Sequence, residues 1–359
     1  MGSFPPMRCG VGDYSYNLAK ALIADPKLYI GVLTSVQGGG AGKVEGIEVF
    51  PVIKRWNLVE ALKVIKIIRN WSPDIVHIQY PTQGYGTGKL PWLLPIISFL
   101  MQKKVVQTWH GGYGNSLRDV LKFCLKIIIP GELVVVYLRY EKNFHPNLHW
   151  ALWKKKPVFI PNASSIPRVD LCEQEKVVLK KQYLENQKRL VVFFGFVYPY
   201  KGVEFLFEIA DPASDQIVIA GEIDEKGDYA QKIIKRASAE VWIGKVTTTG
   251  FLPAAAVASL LAVADAVILP FRSGGGDWNT SIHGAVLNGA FVITTSLTQN
   301  GYDQKRNVYF AKVDNIQEMR TALATYAGMR RKYDADIDRD GWRQIACEHR
   351  SLYESLLSK

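Results

Sequence analysis

Short apolar runs alternate with longer amphipathic stretches along the whole chain, the pattern of strands and helices that form an α/β protein with parallel sheets. In the first half, the β-branched runs Asp74–Gln79 and Lys104–Thr108 read as buried strands. Ahead of them, Leu58, Leu62, Ile65 and Ile68 recur at helical spacing, so a helix is expected over Asn57–Asn70, with Asn57 and Glu60 as a capping box. In the second half, strands are expected at Leu190–Phe194, Gln216–Ala220, Ala266–Leu269 and Phe291–Thr294. Helices are expected at Ala254–Val263 and near Trp342–Leu357. The stretch Pro157–Pro167 (PVFIPNASSIP) reads as a short extended piece followed by a linker. With 359 residues the chain has room for two domains.

The beginning breaks the pattern. A dinucleotide-binding type of domain opens with a buried strand, then a glycine turn, then a helix. Here the glycines Gly10 and Gly12 arrive with only MGSFPPMRC ahead of them, so the first strand is expected to be missing or cut short. Without it, the ladders of its two neighbours lie open, which is costly for buried backbone groups. An apolar strand ahead of Gly2 is therefore expected.

Charge adds a second asymmetry. Residues 1–160 carry 20 Lys and Arg against 9 Asp and Glu, whereas residues 161–359 carry 24 of each. A basic half can face nucleic acid, an anionic membrane or an acidic substrate. The lysines are threaded through apolar stretches such as Trp56–Trp71 and Leu117–Pro130, which favours an anionic membrane surface; no nucleic-acid partner is expected. No apolar run reaches the roughly 18 to 20 residues of a membrane helix, and the best candidate, Leu90–Met101, carries two prolines. Cys9, Cys124, Cys172 and Cys347 are too scattered for a zinc site or a disulfide framework, which suits a cytoplasmic setting.

Four segments carry candidate chemistry. Gly10-Val11-Gly12 starts a helix with Leu18 and Leu22 on one face, so backbone N–H groups there can meet an anion; a tight loop with no ligand fits the same residues. His110 closes a strand in TWHGG, at the end where open α/β sheets place their ligands, although a lone histidine is often structural. Lys201 sits at a helix start six residues after Gly195-Phe196, and one ammonium can meet two phosphate oxygens; an exposed loop lysine is the plainer alternative. The segment Arg272–Ser281 (RSGGGDWNTS) joins a strand to a helix through three glycines, offering N–H groups and the hydroxyls of Thr280 and Ser281 to a phosphate. The triplet Asp334-Ala335-Asp336 reads as helix-start charge, not as a metal site.

Taken in order, FPPMRCGVGDYSYNLAKAL, DIVHIQY, TWHGG, FIPNAS, FFGFVYPYKGVEFL, IVIAGE, TGFL, ADAVILPFRSGGGDWNTSIHGAVLNGAFVITT and WRQIACEHRSLYESLL resemble the retaining GT-B glycosyltransferases, in particular the large group that builds lipid-linked and extracellular polysaccharides. The resemblance implies two Rossmann-like domains whose parallel sheets face each other across a cleft. Residues 1–160 with 340–359 would form the acceptor-side domain, and 164–335 the nucleotide-sugar-binding domain. Gly10, Val11 and Gly12 would face the donor diphosphate and the acceptor, His110 the transferred sugar, and Lys201 the diphosphate. Gly276, Asn279, Thr280 and Ser281 would line the diphosphate and sugar. Phe196, Gly250, Phe251, Leu252 and His283 would lie by the base and ribose.

The implied reaction moves a sugar from a nucleotide-diphosphate donor, a UDP-sugar such as UDP-glucose, to a lipid-linked or polysaccharide acceptor with retention. No cofactor or metal is implied. The implied location is the inner face of the cell membrane, held peripherally. The family's two glutamates, separated by seven residues, align with Gly276 and Gly284, and its usual arginine aligns with Phe196; Asp277 or His283 could substitute. Loss of those glutamates leaves a second reading, a non-catalytic sugar-nucleotide-binding subunit. A hydrolase would need paired carboxylates, and none stands near the glycine loops.

Overall fold

In the computed structural model, which describes residues 1–39, 42–110, 131–136, 156–184, 187–223, 227–276, 279–334 and 341–358, the chain divides into two units. The first is Met1–Ala163 with Asp340–Lys359, and the second is Ser164–Arg339. Gly111, Gly112, the stretch Leu117–Pro130, Asp277 and Ala335-Asp336 lie outside the described residues.

The first unit opens with α1 (Gly10–Leu22), followed by β1 (Gly31–Ser35), β2 (Gly42–Val44), β3 (Ile47–Ile53), α2 (Ala61–Trp71), β4 (Ile75–Tyr80), α3 (Leu90–Leu100), β5 (Lys104–Trp109), β6 (Glu132–Val135) and β7 (Val158–Phe159). The C-terminal helix, Gly341–Leu357, belongs to this unit. Its strands fall into two sheets. One is β1-β3-β2, with β1 and β3 parallel, and the other is β4-β5-β6-β7, parallel throughout. Met1 and Gly2 lie between them. Met1 N donates to His77 O at 2.6 Å, Gln79 N donates to Met1 O at 3.0 Å, and Gly2 N donates to Leu33 O at 3.2 Å. Met1 and Gly2 thus bond to β4 on one side and β1 on the other. Burial there lowers the N-terminal ammonium to a pKa of about 5.

Side chains of α1 (Tyr14, Leu18, Leu22) and of the C-terminal helix (Ile345, Tyr353, Leu356) bury against Val106 and Val134 on one part of the core. Leu33, Ile53, Trp56, Val64, Ile68, Leu90 and Leu94 form another. Each such side chain contributes about 1.5–3 kcal/mol by leaving water.

The expected helical face of Asn57–Asn70 is corrected. The segment starts as a 3-10 turn, Leu58–Glu60, and only then becomes α2, which shifts the phase of the face that is buried. Val64 and Ile68 are inside, whereas Leu58 and Leu62 are 55% and 76% exposed. The capping box does not form either: Asn57 makes no side-chain cap, and Glu60 pairs with Lys63 at 2.8 Å. The helix α3 also shows apolar residues to solvent, at Leu93, Ile96, Phe99 and Leu100, while Leu90, Leu94 and Ser98 face inward. Among the described residues no helix is long and apolar enough to cross a membrane.

The second unit carries β8 (Arg189–Phe194), β9 (Asp215–Ala220), β10 (Val246–Thr248), β11 (Ala266–Leu269), β12 (Val292–Ser296), β13 (Gly301–Asp303) and β14 (Val308–Lys312). Its helices are α4 (Glu173–Tyr183), α5 (Leu206–Ile209), α6 (Asp228–Ala237), α7 (Ala254–Val263), α8 (Thr280–Leu287) and α9 (Ile316–Tyr326). One sheet has the order β10-β9-β8-β11-β12-β14-β13, parallel except for the β13–β14 hairpin. Strands buried on both faces need continuous apolar runs. Leu190–Phe194, Ile217–Ala220 and Ala266–Leu269 supply them, and all are buried.

Candidate functional site

In the second unit, parallel strands bring the loops that follow β8, β10 and β11 to one edge of the sheet, the edge where such sheets place ligands. The β8 and β11 strands are direct neighbours, so the Lys201 loop and the glycine loop meet. Arg272 N donates to Tyr200 O at 3.0 Å. The Lys201 ammonium lies 4.5 Å from the centre of the Phe271 ring. Gly202 has φ +67°, and a Cβ there would come within 2.3 Å of Pro270 O, so only glycine permits this approach. Burial lowers the Lys201 pKa to about 8, and among the described residues no carboxylate offsets this. The site holds a desolvated cation that an anion would stabilise.

The glycine loop differs from expectation. Its N–H groups were expected to face a ligand, but those of the three glycines bond to other groups of this unit. Gly274 N donates to Phe271 O at 3.1 Å, Gly275 N to Thr295 O at 2.6 Å, and Gly276 N to the Asn279 side-chain Oδ1 at 2.9 Å. The glycines answer to geometry: Gly274 has φ +77°, and a Cβ on Gly275 would meet Thr294 Oγ1 at 2.8 Å. Asn279 therefore locks the loop. Thr280 and Ser281, at the first turn of α8, carry hydroxyls that can donate to an anion. His283, one turn further on, donates its N–H to Asn279 O at 3.2 Å.

Gly284 answers to packing. A Cβ on Gly284 would meet Ser164 Oγ at 2.8 Å and Ile166 Cβ at 3.1 Å, so the linker occupies the space of any side chain. Asn288 ties the same linker down, donating to Pro167 O at 3.0 Å and accepting from Val169 N at 3.0 Å.

Other residues sit on the same edge. Phe196, Tyr198 and Tyr200 stack in a ladder, with centroids 5.8 and 5.7 Å apart. Gly250, with φ +67°, and the exposed Phe251 follow β10, with Leu252 half-buried beside them. Sequence reasoning missed Glu204 and Arg272. Glu204 is 3% exposed and accepts from Arg272 Nη2 at 2.6 Å and from the Tyr229 hydroxyl, with Lys232 at 3.6 Å. Burial pushes its carboxyl up, but the bonds from Tyr229 and Arg272 outweigh this and hold it below the usual range. This cluster fixes the root of the glycine loop. Its members lie 68 residues apart along the chain, and no local pattern links them.

In the first unit, His110 follows the C-terminal end of β5 and is 8% exposed. Its N–H backbone group donates to Tyr80 O at 2.7 Å, and its ring meets Tyr14 of α1 edge-on at 4.6 Å. That contact brings His110 together with the helix that begins at Gly10. Gly10 has open space around it, while Gly12 is buried against Ser3 and Phe4. His110 Nε2 lies 2.7 Å from Gln79 Oε1, and Gln79 Nε2 lies 3.3 Å from His77 Nε2. His77 continues to Thr108 at 2.7 Å and to the Tyr353 hydroxyl at 2.6 Å. Because the Gln79 amide presents oxygen to His110, the histidine donates from Nε2 and keeps a lone pair on Nδ1. Burial, aided by the nearby His349, lowers the His110 pKa to about 3, so the ring is neutral at ordinary pH.

These features define a GT-B α/β protein, two Rossmann-like units each built on parallel strands. Residues 188–327, most of the second unit, match the family model described as Glycosyl transferases group 1. No curated protein sequence matches the chain. Among solved structures, a glycosyltransferase from Rickettsia africae has a TM-score of 0.70 at 14% identity, covering 97% of this chain and 95% of its own. A sucrose-phosphate synthase from Thermosynechococcus elongatus has 0.69 at 14% identity, covering 97% and 94%. Anabaena Alr3699/HepE in complex with UDP and glucose has 0.66 at 14% identity, covering 100% and 98%.

Proposed function

We propose that the chain is a glycosyltransferase that takes a sugar from a nucleotide-diphosphate donor, a UDP-sugar such as UDP-glucose, and passes it to a lipid-linked or glycan acceptor with retention of configuration. The observation that carries this reading is the desolvated Lys201 beside Phe271, where the loop leading to α8 begins, on the ligand edge of a unit that matches a glycosyltransferase model. Lys201 and the hydroxyls of Thr280 and Ser281 would hold the diphosphate, and Phe196, Gly250, Phe251 and Leu252 the base and ribose. Stabilising charge on the departing diphosphate is the largest demand of the reaction, and a preorganised ammonium meets it. His110 would contact the transferred sugar. With no carboxylate assigned as nucleophile, attack would come from the face the diphosphate leaves, with the leaving phosphate accepting the proton. That similar structures carry UDP, glucose or ADP supports the donor class. No metal or cofactor enters this scheme.

The second reading, a non-catalytic sugar-nucleotide-binding subunit, is favoured by Gly284, where the linker leaves no room for a glutamate. Turnover measured beside binding separates the two.

We also propose that the protein docks on an anionic membrane at the inner face of the cell. Leu93, Ile96, Phe99 and Leu100 of α3 form an exposed apolar stripe, and the exposed Lys104 follows the helix. Apolar insertion with surface lysines, each worth about 1 kcal/mol and screened by salt, is the physics of peripheral binding. The protein is expected to sediment with anionic vesicles at low salt and to be released at high salt, with Phe99→Glu weakening binding. Equal sedimentation with neutral vesicles would contradict this.

A further inference from the structure

The first unit holds a cavity of about 790 Å³ that none of the roles above uses. Its walls come from the loops after β1, β3 and β4, all at the C-terminal ends of parallel strands, the ligand edge of the sheet. Lys54, Arg55 and Lys89 line it, and no carboxylate does. These three cations are exposed and have no ion pair among the described residues. The cavity is also preformed. Trp56 is 1% exposed, donates from Nε1 to Ser35 Oγ at 2.9 Å, and packs edge-on against Tyr85 at 4.7 Å. Leu90 N donates to Trp56 O at 3.0 Å, and a Cβ on Gly88 would meet that same oxygen at 2.1 Å. The rim at 83–88 is therefore pinned to the strand β3 side. Met7 and the exposed Leu58 add apolar wall, and Leu58 continues into the exposed Val59 and Leu62.

We propose that this cavity binds the phosphate of the acceptor, a phosphate ester whose phosphate meets Lys54, Arg55 and Lys89 while its apolar part lies over Met7 and Leu58. Three unpaired cations converging on a preformed concavity attract an anion, and phosphate satisfies several donors at once. The apolar exit favours an ester over a bare ion. Naming the occupant an acceptor rests on the transferase reading; the anion site does not.

The test is calorimetry on the full chain with geranyl diphosphate, inorganic pyrophosphate and geraniol, with and without saturating UDP. The diphosphates are expected to bind and geraniol is not. Arg55→Ala and Lys89→Ala, both at exposed positions, should each weaken diphosphate binding about 10-fold or more and leave UDP affinity unchanged. Leu58→Ser should weaken geranyl diphosphate alone, by several-fold. Equal affinity for pyrophosphate and geranyl diphosphate would support the anion site and assign it to a soluble phosphate ester in place of a lipid. Geraniol binding as tightly as its diphosphate, or affinities within two-fold of wild type in both cation variants, would overturn the proposal. If UDP affinity falls with the diphosphates, the cavity belongs to the nucleotide and the acceptor assignment fails. If the diphosphates behave as expected while wild type binds no UDP, the anion site stands and the transferase reading falls.

Discussion

Replacing Lys201 with alanine is expected to weaken UDP binding by roughly 10- to 100-fold. A hydrogen bond to a charged group contributes about 1.5–3 kcal/mol, and 1.4 kcal/mol is tenfold in affinity. The effect should sit near the top of that range because the ammonium is desolvated and approaches the Phe271 ring, away from bulk water. A pH signature follows. With a pKa lowered to about 8, Lys201 is charged below that pH and neutral above it. The wild-type affinity for UDP should therefore fall as pH rises through about 8, and binding there should take up a proton, since the bound diphosphate raises the lysine pKa. The alanine variant should show neither feature. Calorimetry at pH 7 and pH 9 reads both. Equal affinities for wild type and variant would remove Lys201 from the donor site.

Replacing His110 with alanine is expected to lower kcat by about 10² to 10³, the cost of one hydrogen bond made in the transition state, with UDP affinity nearly unchanged. The histidine is held neutral, with a pKa of about 3, and its tautomer is set by Gln79 at 2.7 Å. Its contribution should therefore be independent of pH from about 5 upward. Steady-state kinetics with parallel UDP titration tests this. Loss of UDP affinity in the variant would place His110 in the nucleotide site or in the fold.

Much of the fold was legible because buried parallel strands need unbroken apolar runs. Ala266–Leu269 and Ala254–Val263 appear in the structure with the bounds expected from the pattern. The face of α2 was not legible, because a 3-10 turn changes the phase of a helix without changing its composition. The strands β1 and β3 escaped notice for a different reason: Gly31–Ser35 has only two strongly apolar residues, Val32 and Leu33, and Ile47–Ile53 is broken by Glu48 and Pro51. In the site, Lys201 and the glycine loop could be singled out from their place after strands. That the glycine amides are already bonded could not be read, since the partners Phe271, Thr295 and Asn279 emerge only from the folded geometry. The same holds for Glu204 and Arg272, and for the cavity, whose cations come from segments 34 residues apart in the chain, from Arg55 to Lys89.

Nucleoside diphosphate release shows whether the chain transfers sugar or merely binds its nucleotide. UDP- and GDP-sugars would be screened for binding by thermal shift, where ligand at 100 times its Kd stabilises by about 2.7 kcal/mol. The binding sugar nucleotide would then be incubated with the protein, anionic vesicles and glycan or lipid-linked acceptors, and released diphosphate counted. Release is expected with wild type and should fall about 10² to 10³ with His110→Ala; a sugar nucleotide that binds wild type but is never turned over, with any acceptor or with water, would make the chain a binding subunit and not a transferase.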